Sequence, residues 1–235
     1  MGCDGVNSIV RSLFGLPSAR PSGVSVWRGT VVVPTGSILE DLLDKGITPL
    51  GMNAYGNIVT FSIFNFHQKI PRTLTWVVTT KEQGALLHSS SCHPSDFVSP
   101  YVDNPVHKQY MDEIFNLSDE SDLYHAVDLK TVDPETWRYQ GRVILIGDAA
   151  HAMRPASGLG GSMAFEDCVV LCRNLRKEVE NPEDVDRALG AFYSQRLPRV
   201  SKIWKVEWDT AEKAYSGKPR IPHTSDYLQW IAEGV

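Results

Sequence analysis

Residues 141–167 read GRVILIGDAAHAMRPASGLGGSMAFED, and this stretch decides how the rest of the chain is interpreted. It opens with a segment of strand length over residues 142–146, in which residues 143–146 are continuously apolar and lack the alternation of a half-exposed strand. Such segments are typical of strands that are covered on both faces, as in a parallel sheet. We therefore predict a buried strand that ends at Gly147 and Asp148.

The residues that follow this strand have the chemistry of a ligand site. Ligands of open α/β sheets lie beyond the carboxyl ends of strands, where the Asp148 carboxylate can accept hydrogen bonds from sugar-type hydroxyls. Gly158, Gly160 and Gly161 let the backbone approach a ligand closely. The helix predicted to begin near Ser162 points its free N–H groups and positive end at the turn, which favours a phosphate or a delocalised anion. The alternative is a glycine-rich strand-to-helix turn with an Asp cap and no ligand.

The whole string closely resembles the second FAD signature of flavoprotein monooxygenases of the para-hydroxybenzoate and salicylate hydroxylase type. The resemblance implies that Asp148 bonds the ribityl chain of FAD, that Pro155 borders the active site and that the glycine turn faces the flavin. The family usually has Gln and Asn where this chain has Leu159 and Ser162, so only backbone contacts are carried over to those two positions. The cofactor-binding residues implied by this signature are Asp148, Pro155, Gly158, Leu159, Gly160, Gly161 and Ser162.

The start of the chain carries a second match to the same family. Residues 2–11 read GCDGVNSIVR and resemble the family segment G-[AC]-D-G-x-x-S-x-V-R. That segment helps to place the cofactor and its nicotinamide partner, and the resemblance gives these roles to Asp4 and Arg11. By itself the segment predicts only a turn and a short helix over residues 7–14, capped by Ser8.

A weaker match covers the next predicted strand. Trp27, Arg28 and Gly29 resemble a strand of salicylate-hydroxylase-like proteins whose arginine lies near the flavin, which adds Arg28 to the implied cofactor-binding residues. A solvated strand arginine is the alternative. The resemblance extends over most of residues 1–205.

The remaining pattern predicts a mixed α/β (α+β) fold. Strands rich in β-branched residues are predicted over residues 24–33, 57–65 and 73–80, in a β-meander. By resemblance the chain is a partial FAD-binding domain of the monooxygenase fold with a β-sheet substrate-binding domain. The predicted divisions are a FAD-domain remnant at 1–20, the substrate domain at 21–130, the C-terminal part of the FAD-binding domain at 131–215 and a tail at 216–235.

Further elements follow from local patterns. Helical spacing predicts helices over residues 106–116, 162–178 and 183–213, the last kinked or broken at Pro198. A further strand is predicted over residues 123–131. Cys168 and Cys172 lie on one side of a predicted helix, and we expect them in the core, where free cysteines usually lie.

The family's ADP-binding turn, G-x-G-x-x-G, has no counterpart in this sequence. We expect a chain shortened at its N-terminus, one piece of a split protein, or a remodelled descendant. Without central parallel strands, residues 143–146 are expected to expose apolar surface. Self-association or an N-terminal partner chain is therefore expected.

Composition restricts the function classes. The chain has 235 residues, 42% of them hydrophobic and 22% charged, which is ordinary for a globular protein. A net charge of −5 without a Lys/Arg block argues against nucleic acid as a partner. No apolar signal segment follows Met1 and no run is long enough to span a membrane, so we expect a cytoplasmic protein. The four cysteines form no C-x-x-C pair, and no metal site is expected.

Three functional hypotheses remain open. The first is a monooxygenase that uses FAD and NAD(P)H to add one oxygen atom to an aromatic or polyketide-like small molecule, bound over the β-meander. The second is a flavin-free isomerase, cyclase, dehydratase or ligand-binding descendant. The third is an inactive fragment. No catalytic base is assigned, because the cofactor of such enzymes supplies the difficult chemistry, and His151 is interpreted as a structural hydrogen-bonding residue.

Overall fold

The computed structural model divides the chain into two compact units built from separate segments. The first unit comprises Met1–Ser22, Lys130–Ala211 and Arg220–Val235, and the second comprises Gly23–Leu129 and Glu212–Pro219. The structure describes residues 1–43, 47–52, 59–64, 72–81, 95, 102, 104–119, 122–137, 143–155, 158–178, 182–215 and 225–233.

The described part of the chain contains both helices and strands. The strands are β1 (Arg20–Pro21), β2 (Val24–Val32), β3 (Ile47–Met52), β4 (Val59–Phe64), β5 (Thr73–Lys81), β6 (Tyr124–Ala126) and β7 (Lys130–Thr131). The α-helices are α1 (Ile9–Leu13), α2 (Pro105–Leu117), α3 (Asp148–His151), α4 (Gly160–Glu178), α5 (Pro182–Tyr215) and α6 (Ser225–Ala232), with 3-10 turns at Ile38–Leu42 and Pro134–Thr136. Among the described helices, none is both long and apolar enough to cross a membrane.

The second unit contains a five-stranded antiparallel sheet with the order β3-β4-β5-β2-β6. Strands β2, β4 and β5 confirm the three predicted strands. Strand β3 was not predicted, because Pro49 lowers strand propensity; the pairing register shifts between Pro49 and Gly51. Proline is tolerated there because β3 is an edge strand with one unpaired side.

One face of this sheet is covered by helix α2. From Trp27 onward, buried and exposed residues alternate along β2, as expected for a strand with one covered face. Helix α2 buries Met111, Ile114 and Phe115, whose spacing places them on one helical face. Together they form the core of the unit, whose fully buried members include Leu39, Leu42, Leu74, Trp76 and Val78.

Trp76 is completely buried in this core. Its indole Nε1 donates a hydrogen bond to Ser118 Oγ at 2.9 Å, and its ring meets Phe115 edge-on at 5.2 Å. Gly29 lies opposite Trp76 in the β2–β5 register, and a Cβ atom at Gly29 would lie 2.7 Å from the indole ring. Glycine is therefore required at this position to leave room for the indole.

The predicted strand over residues 123–131 is two short strands instead. Asp128 has φ 48° between β6 and β7, a left-handed conformation that interrupts a strand. Its N–H binds Ser25 Oγ at 2.9 Å, which fixes the turn. Strand β6 joins the five-stranded sheet, whereas β7 pairs with β1 in the first unit.

The apolar segment at residues 143–146 is not a regular strand. Leu145 forms an isolated parallel bridge with Gly2: the Gly2 N–H binds the Ile144 carbonyl at 2.8 Å, and the Ile146 N–H binds the Gly2 carbonyl at 2.9 Å. A Cβ atom at Gly2 would lie 2.6 Å from the Leu145 side chain, so glycine permits this close approach. The two signature segments therefore lie side by side.

The expectation that residues 143–146 expose apolar surface is wrong. Ile144, Leu145 and Ile146 are buried, because side chains of α4 and α5 cover them in a core that includes Val170 and Phe192. Large apolar side chains of the first unit are exposed elsewhere, on α1 and α4. They include Leu13 (76% exposed), Phe165 (77%) and Val169 (44%).

Helices α4 and α5 bear on two further expectations. Cys168 and Cys172 are exposed rather than in the core, because α4 turns its opposite face inward and buries Met163, Val170 and Leu171. Helix α5 contains Pro198 and is not broken by it.

We predict that Gly29→Ala lowers the free energy of unfolding by about 1–3 kcal/mol, because the added methyl group overpacks the buried Trp76 ring. The matched control is Thr30→Ala at the next, exposed position of β2, which should change stability by about 0.5 kcal/mol or less. Urea unfolding of the complete chain measures both. Equal effects of the two substitutions would contradict the packing argument.

Candidate functional site

The turn at Gly147 is the centre of the second signature. Gly147 has φ 59° and ψ −144°, a combination that is open essentially to glycine alone. A Cβ atom there would also lie 3.3 Å from Ala164 Cβ of α4. The Gly147 N–H donates to Asp167 Oδ2 at 2.8 Å, so α4 holds the turn by both packing and a hydrogen bond.

Asp148 is the first residue of α3, and it points away from the core. Its neighbours Ala149, Ala150 and His151 are buried, whereas Asp148 is exposed. No hydrogen bond or ion pair joins its carboxylate to any described residue. The carboxylate is therefore available to accept hydrogen bonds from an external ligand.

The glycine turn leads into α4 and leaves open space. Gly158 has φ 73°, and a Cβ atom at Gly158 or Gly161 would meet no described heavy atom within 4 Å. Pro155 and Ser162 are exposed, and Leu159 is half-buried. Helix α4 begins at Gly160, earlier than predicted, so the N–H groups of its first turn have no acceptor within the helix.

The carboxylate of Asp167 is fully buried and is shared by three donors. His151 Nε2 lies 2.7 Å from Oδ2, Arg196 Nε donates to Oδ1 at 2.8 Å, and the third donor is the Gly147 N–H. Burial raises the pKa of Asp167, but the hydrogen bond and charge of His151, the Gly147 N–H and the Arg196 charge together lower it. Because an ionised carboxylate can only accept, His151 Nε2 carries the proton in this pair.

Arg196 extends this network to a second carboxylate. Its Nη1 atom donates to Glu166 Oε2 at 2.6 Å, and Arg199 binds both oxygens of Glu166 at 2.7 and 2.8 Å. Arg199 also donates to the carbonyls of Trp230 and Ile231 in α6, at 3.2 and 3.1 Å. Burial raises the pKa of Glu166, but the hydrogen bonds and charges of Arg199 and Arg196 lower it. The buried ions are thus paired, as burial requires.

The segment between α3 and Pro155 is fixed by different contacts. The Ala152 carbonyl accepts hydrogen bonds from the Val132 N–H at 2.9 Å and from Thr131 Oγ1 at 2.8 Å. Arg154 donates Nε to the Ser22 carbonyl at 3.0 Å, and its guanidinium lies 3.4 Å from the ring centroid of Trp208. These contacts hold the backbone that precedes Pro155 in one place.

The polar side chains of the first signature make hydrogen bonds within the protein. Asp4 Oδ2 accepts from the N–H groups of Ile9 and Val10, at 2.7 and 3.2 Å, and Ser8 Oγ caps α1 through the Arg11 N–H at 3.0 Å. The hydrogen bond from Ser8 and those from the backbone hold the pKa of Asp4 below its usual value. Both side chains therefore stabilise the start of α1.

Arg11 joins the first signature to the second. Its buried guanidinium donates to the Pro17 carbonyl at 3.0 and 2.7 Å, to Thr136 Oγ1 at 2.8 Å and to the Ala149 carbonyl of α3 at 3.1 Å. Desolvation lowers its pKa from the ordinary arginine value. Every guanidinium nitrogen is bonded within the protein.

Arg28 lies in the second unit, whereas the other predicted site residues lie in the first. It is exposed on β2, opposite Tyr124 of β6, and its guanidinium carbon lies 4.6 Å from the Tyr124 ring centroid. This distance is within the range of a cation–π contact.

The sequence contained a signal for the Asp167 network, although no role was predicted for Asp167 or Arg196. Asp167 shares its helical face with Met163, Val170 and Leu171, so a carboxylate lies within an otherwise apolar stripe. A buried carboxylate requires cationic or hydrogen-bonding partners, so this spacing indicates that Asp167 has such partners without identifying them. The interpretation of His151 as a structural hydrogen-bonding residue is confirmed by its buried contact with Asp167.

We predict that the chain loses stability in acid because Asp167 and Glu166 have lowered pKa values in the folded state. A lowered folded pKa stabilises the protein above the unfolded pKa, and this stability is lost as pH falls through the folded pKa. The free energy of unfolding should be level near neutrality and fall below about pH 4. Asp167→Asn should flatten this fall, whereas Asp209→Asn, at an exposed position of α5, should not. An unchanged slope in Asp167→Asn would contradict the assignment.

We predict that Arg11→Met lowers the free energy of unfolding by about 2–4 kcal/mol, because the buried Ala149 carbonyl, the Pro17 carbonyl and the Thr136 hydroxyl lose their donor. Arg176→Met, an exposed arginine of α4, is the matched control and should change stability by about 0.5 kcal/mol or less. Urea unfolding distinguishes the two. Wild-type stability in Arg11→Met would show that the guanidinium contacts contribute nothing.

Comparison with known proteins identifies the family. The model of the FAD binding domain family matches residues 1–206. The chain is 31% identical over 244 residues to the FAD-dependent monooxygenase nodY2 of Hypoxylon pulicicidum, with 96% of this chain and 49% of the relative covered. It is 28% identical over 231 residues to a salicylate hydroxylase of Pseudomonas putida, with 90% and 50% covered. The chain thus spans about half the length of these curated relatives.

Solved structures show the same fold. Klebsiella pneumoniae HpxO complexed with FAD and uric acid superposes with a TM-score of 0.70 at 20% identity, over 98% of this chain and 54% of that one. The predicted α/β (α+β) class and the resemblance to FAD-dependent aromatic monooxygenases are confirmed. The two signature segments lie side by side, and the family model matches residues 1–206. The chain therefore belongs to the FAD binding domain family.

Proposed function

We propose that this chain forms the part of a FAD-dependent monooxygenase that holds the ribityl chain and the ring of the flavin. The single observation that carries the proposal is the exposed Asp148 carboxylate, which has no partner among the described residues, beside a buried and fixed Gly147 turn. A carboxylate in this state can accept hydrogen bonds from the hydroxyls of a ribityl chain.

The beginning of α4 fits the other end of such a ligand. The N–H groups from Gly160 to Ser162 lie in the first turn, and a helix N-terminus favours negative charge. The positions of Gly158 and Gly161 leave open space that a ligand can enter. When bound, FAD supplies the redox and oxygen chemistry, and these residues bind it and stabilise its charge.

The remaining predicted residues have three different roles under this proposal. Asp4 and Arg11 shape the site by capping α1 and by bonding α3, because their hydrogen bonds are made within the protein. Arg28 stays a proposed cofactor contact, since it is exposed on β2. Pro155 borders the active site, and Leu159 and Ser162 contribute backbone contacts.

The proposal also includes a substrate and a reductant. We place a small aromatic or polyketide-like substrate over the sheet that contains β2, β4 and β5, with NAD(P)H as the reductant. The support is the family to which the chain belongs and the monooxygenases among its relatives. Small-molecule partners fit the acidic net charge of −5 better than nucleic acid does.

We predict that Asp148→Asn weakens FAD binding by about 10- to 100-fold, the range expected when a hydrogen bond to a charged group is weakened or lost. Lumiflavin, which has the ring but no ribityl chain, should bind the variant and the wild type equally. Flavin fluorescence titration of the complete chain measures both ligands, and Asp209→Asn is the control carboxylate.

The change in affinity for FAD, compared with that for lumiflavin, tests whether Asp148 binds the ribityl chain. Equal losses for FAD and lumiflavin would place the effect of Asp148 on the ring or on the fold, contradicting the ribityl role. A wild-type chain that binds neither flavin would overturn the proposed function and favour the flavin-free alternatives.

A further inference from the structure

Asp167 has the geometry of a residue that acts on the site without touching the ligand. Its carboxylate is fully buried, on the face of α4 that contacts the Gly147 turn. Of the described residues bonded to it, one is the turn itself, through the Gly147 N–H at 2.8 Å. The carboxylate therefore fixes the backbone immediately before Asp148.

The conformation that Asp167 fixes is one that the chain does not adopt easily. Gly147 has φ 59° and ψ −144°, a sparsely populated region that persists only where surrounding contacts hold it. The orientation of the next peptide determines where the Asp148 side chain points. Without the bond from the Gly147 N–H, several backbone conformations become available to a glycine, and Asp148 would be spread over several directions.

Asp167 is itself held by charge and hydrogen bonding. Arg196 binds Oδ1 at 2.8 Å and His151 Nε2 binds Oδ2 at 2.7 Å, with all three side chains at most 1% exposed. His151 ends α3, the helix that Asp148 begins, so Asp167 contacts both ends of α3. His151 Nδ1 is buried and bonds no described atom, so among the described residues Asp167 is the side chain that hydrogen-bonds the imidazole.

We propose that Asp167 is the positioning residue for Asp148: its buried carboxylate binds both ends of α3 and thereby aims the Asp148 carboxylate at the ribityl hydroxyls of the flavin. This inference rests on the proposed function for the identity of the ligand. The constraint on the Gly147 turn does not depend on it. Arg196 supports the same arrangement by keeping Asp167 ionised and oriented.

A double-mutant cycle separates aiming from general support of the fold. Asp167→Asn should weaken FAD binding by about 10-fold in the wild-type background, because a neutral amide loses a charge-assisted acceptor. In the Asp148→Asn background the same substitution should change FAD affinity by about 2-fold or less, because its target is already gone. Asp209→Asn, exposed on α5, should have no effect in either background. Equal losses in both backgrounds would overturn the positioning role.

Hydrogen exchange tests the turn without a flavin. In Asp167→Asn the Gly147 amide should exchange at least about 10-fold faster than in the wild type, and the His151 imidazole proton should no longer be protected from water. An unchanged Gly147 amide overturns the inference whether or not the chain binds FAD. If the wild type fails to bind flavin but the amide responds as stated, the proposed function fails while the constraint on the turn is upheld.

A milder variant covers the case in which Asp167→Asn does not fold. Arg196→Lys keeps a positive charge beside Asp167 but removes the Nε hydrogen bond. It should accelerate Gly147 amide exchange by a smaller factor than about 10 and leave the cooperative unfolding transition in place. Exchange at Gly147 identical to the wild type, with unfolding otherwise weakened, would reject the proposal.

Discussion

The hydrogen bond from the Gly147 N–H to the buried Asp167 carboxylate is the contact on which the proposed site depends. It forces two requirements on the sequence. Position 147 must be glycine, because of its backbone angles and its approach to Ala164. Asp167 must also have cationic or donor partners, since an unpaired buried carboxylate is costly, and Arg196 and His151 meet that need. These contacts fix the Gly147 turn, α3 and α4 relative to one another.

The same arrangement separates residues that build the site from residues left open to a ligand. Asp4 and Arg11 make their hydrogen bonds within the protein, whereas Asp148 has no partner among the described residues. Arg11 reaches the Ala149 carbonyl of α3, and Gly2 bridges Leu145. The start of the chain thus completes the second signature, so the proposed ligand site is distributed over distant parts of the sequence.

The sequence predicted those features that depend on local pattern. The strands β2, β4 and β5, the start of α1 at a Ser8 cap, and the glycine turn that leads into α4 follow from residue type and spacing. Features that depend on tertiary packing were missed. Residues 143–146 are covered by helices rather than exposed, and the cysteines of α4 face outward because Met163, Asp167 and Val170 face the core. The partners of Asp167 lie on other helices and could not be read from spacing alone.

The most direct test of the account is hydrogen–deuterium exchange of the complete chain with and without saturating FAD. We predict slower exchange at two places only within the first unit: the backbone at Gly147 and Asp148, and the first turn of α4 from Gly160 to Ser162. The first place adjoins the Asp148 carboxylate, which the proposal assigns to the ribityl chain, and the second is the helix end that it assigns to the ring. Protection confined to other segments, or no change at either place, would contradict the claim that this chain holds the flavin.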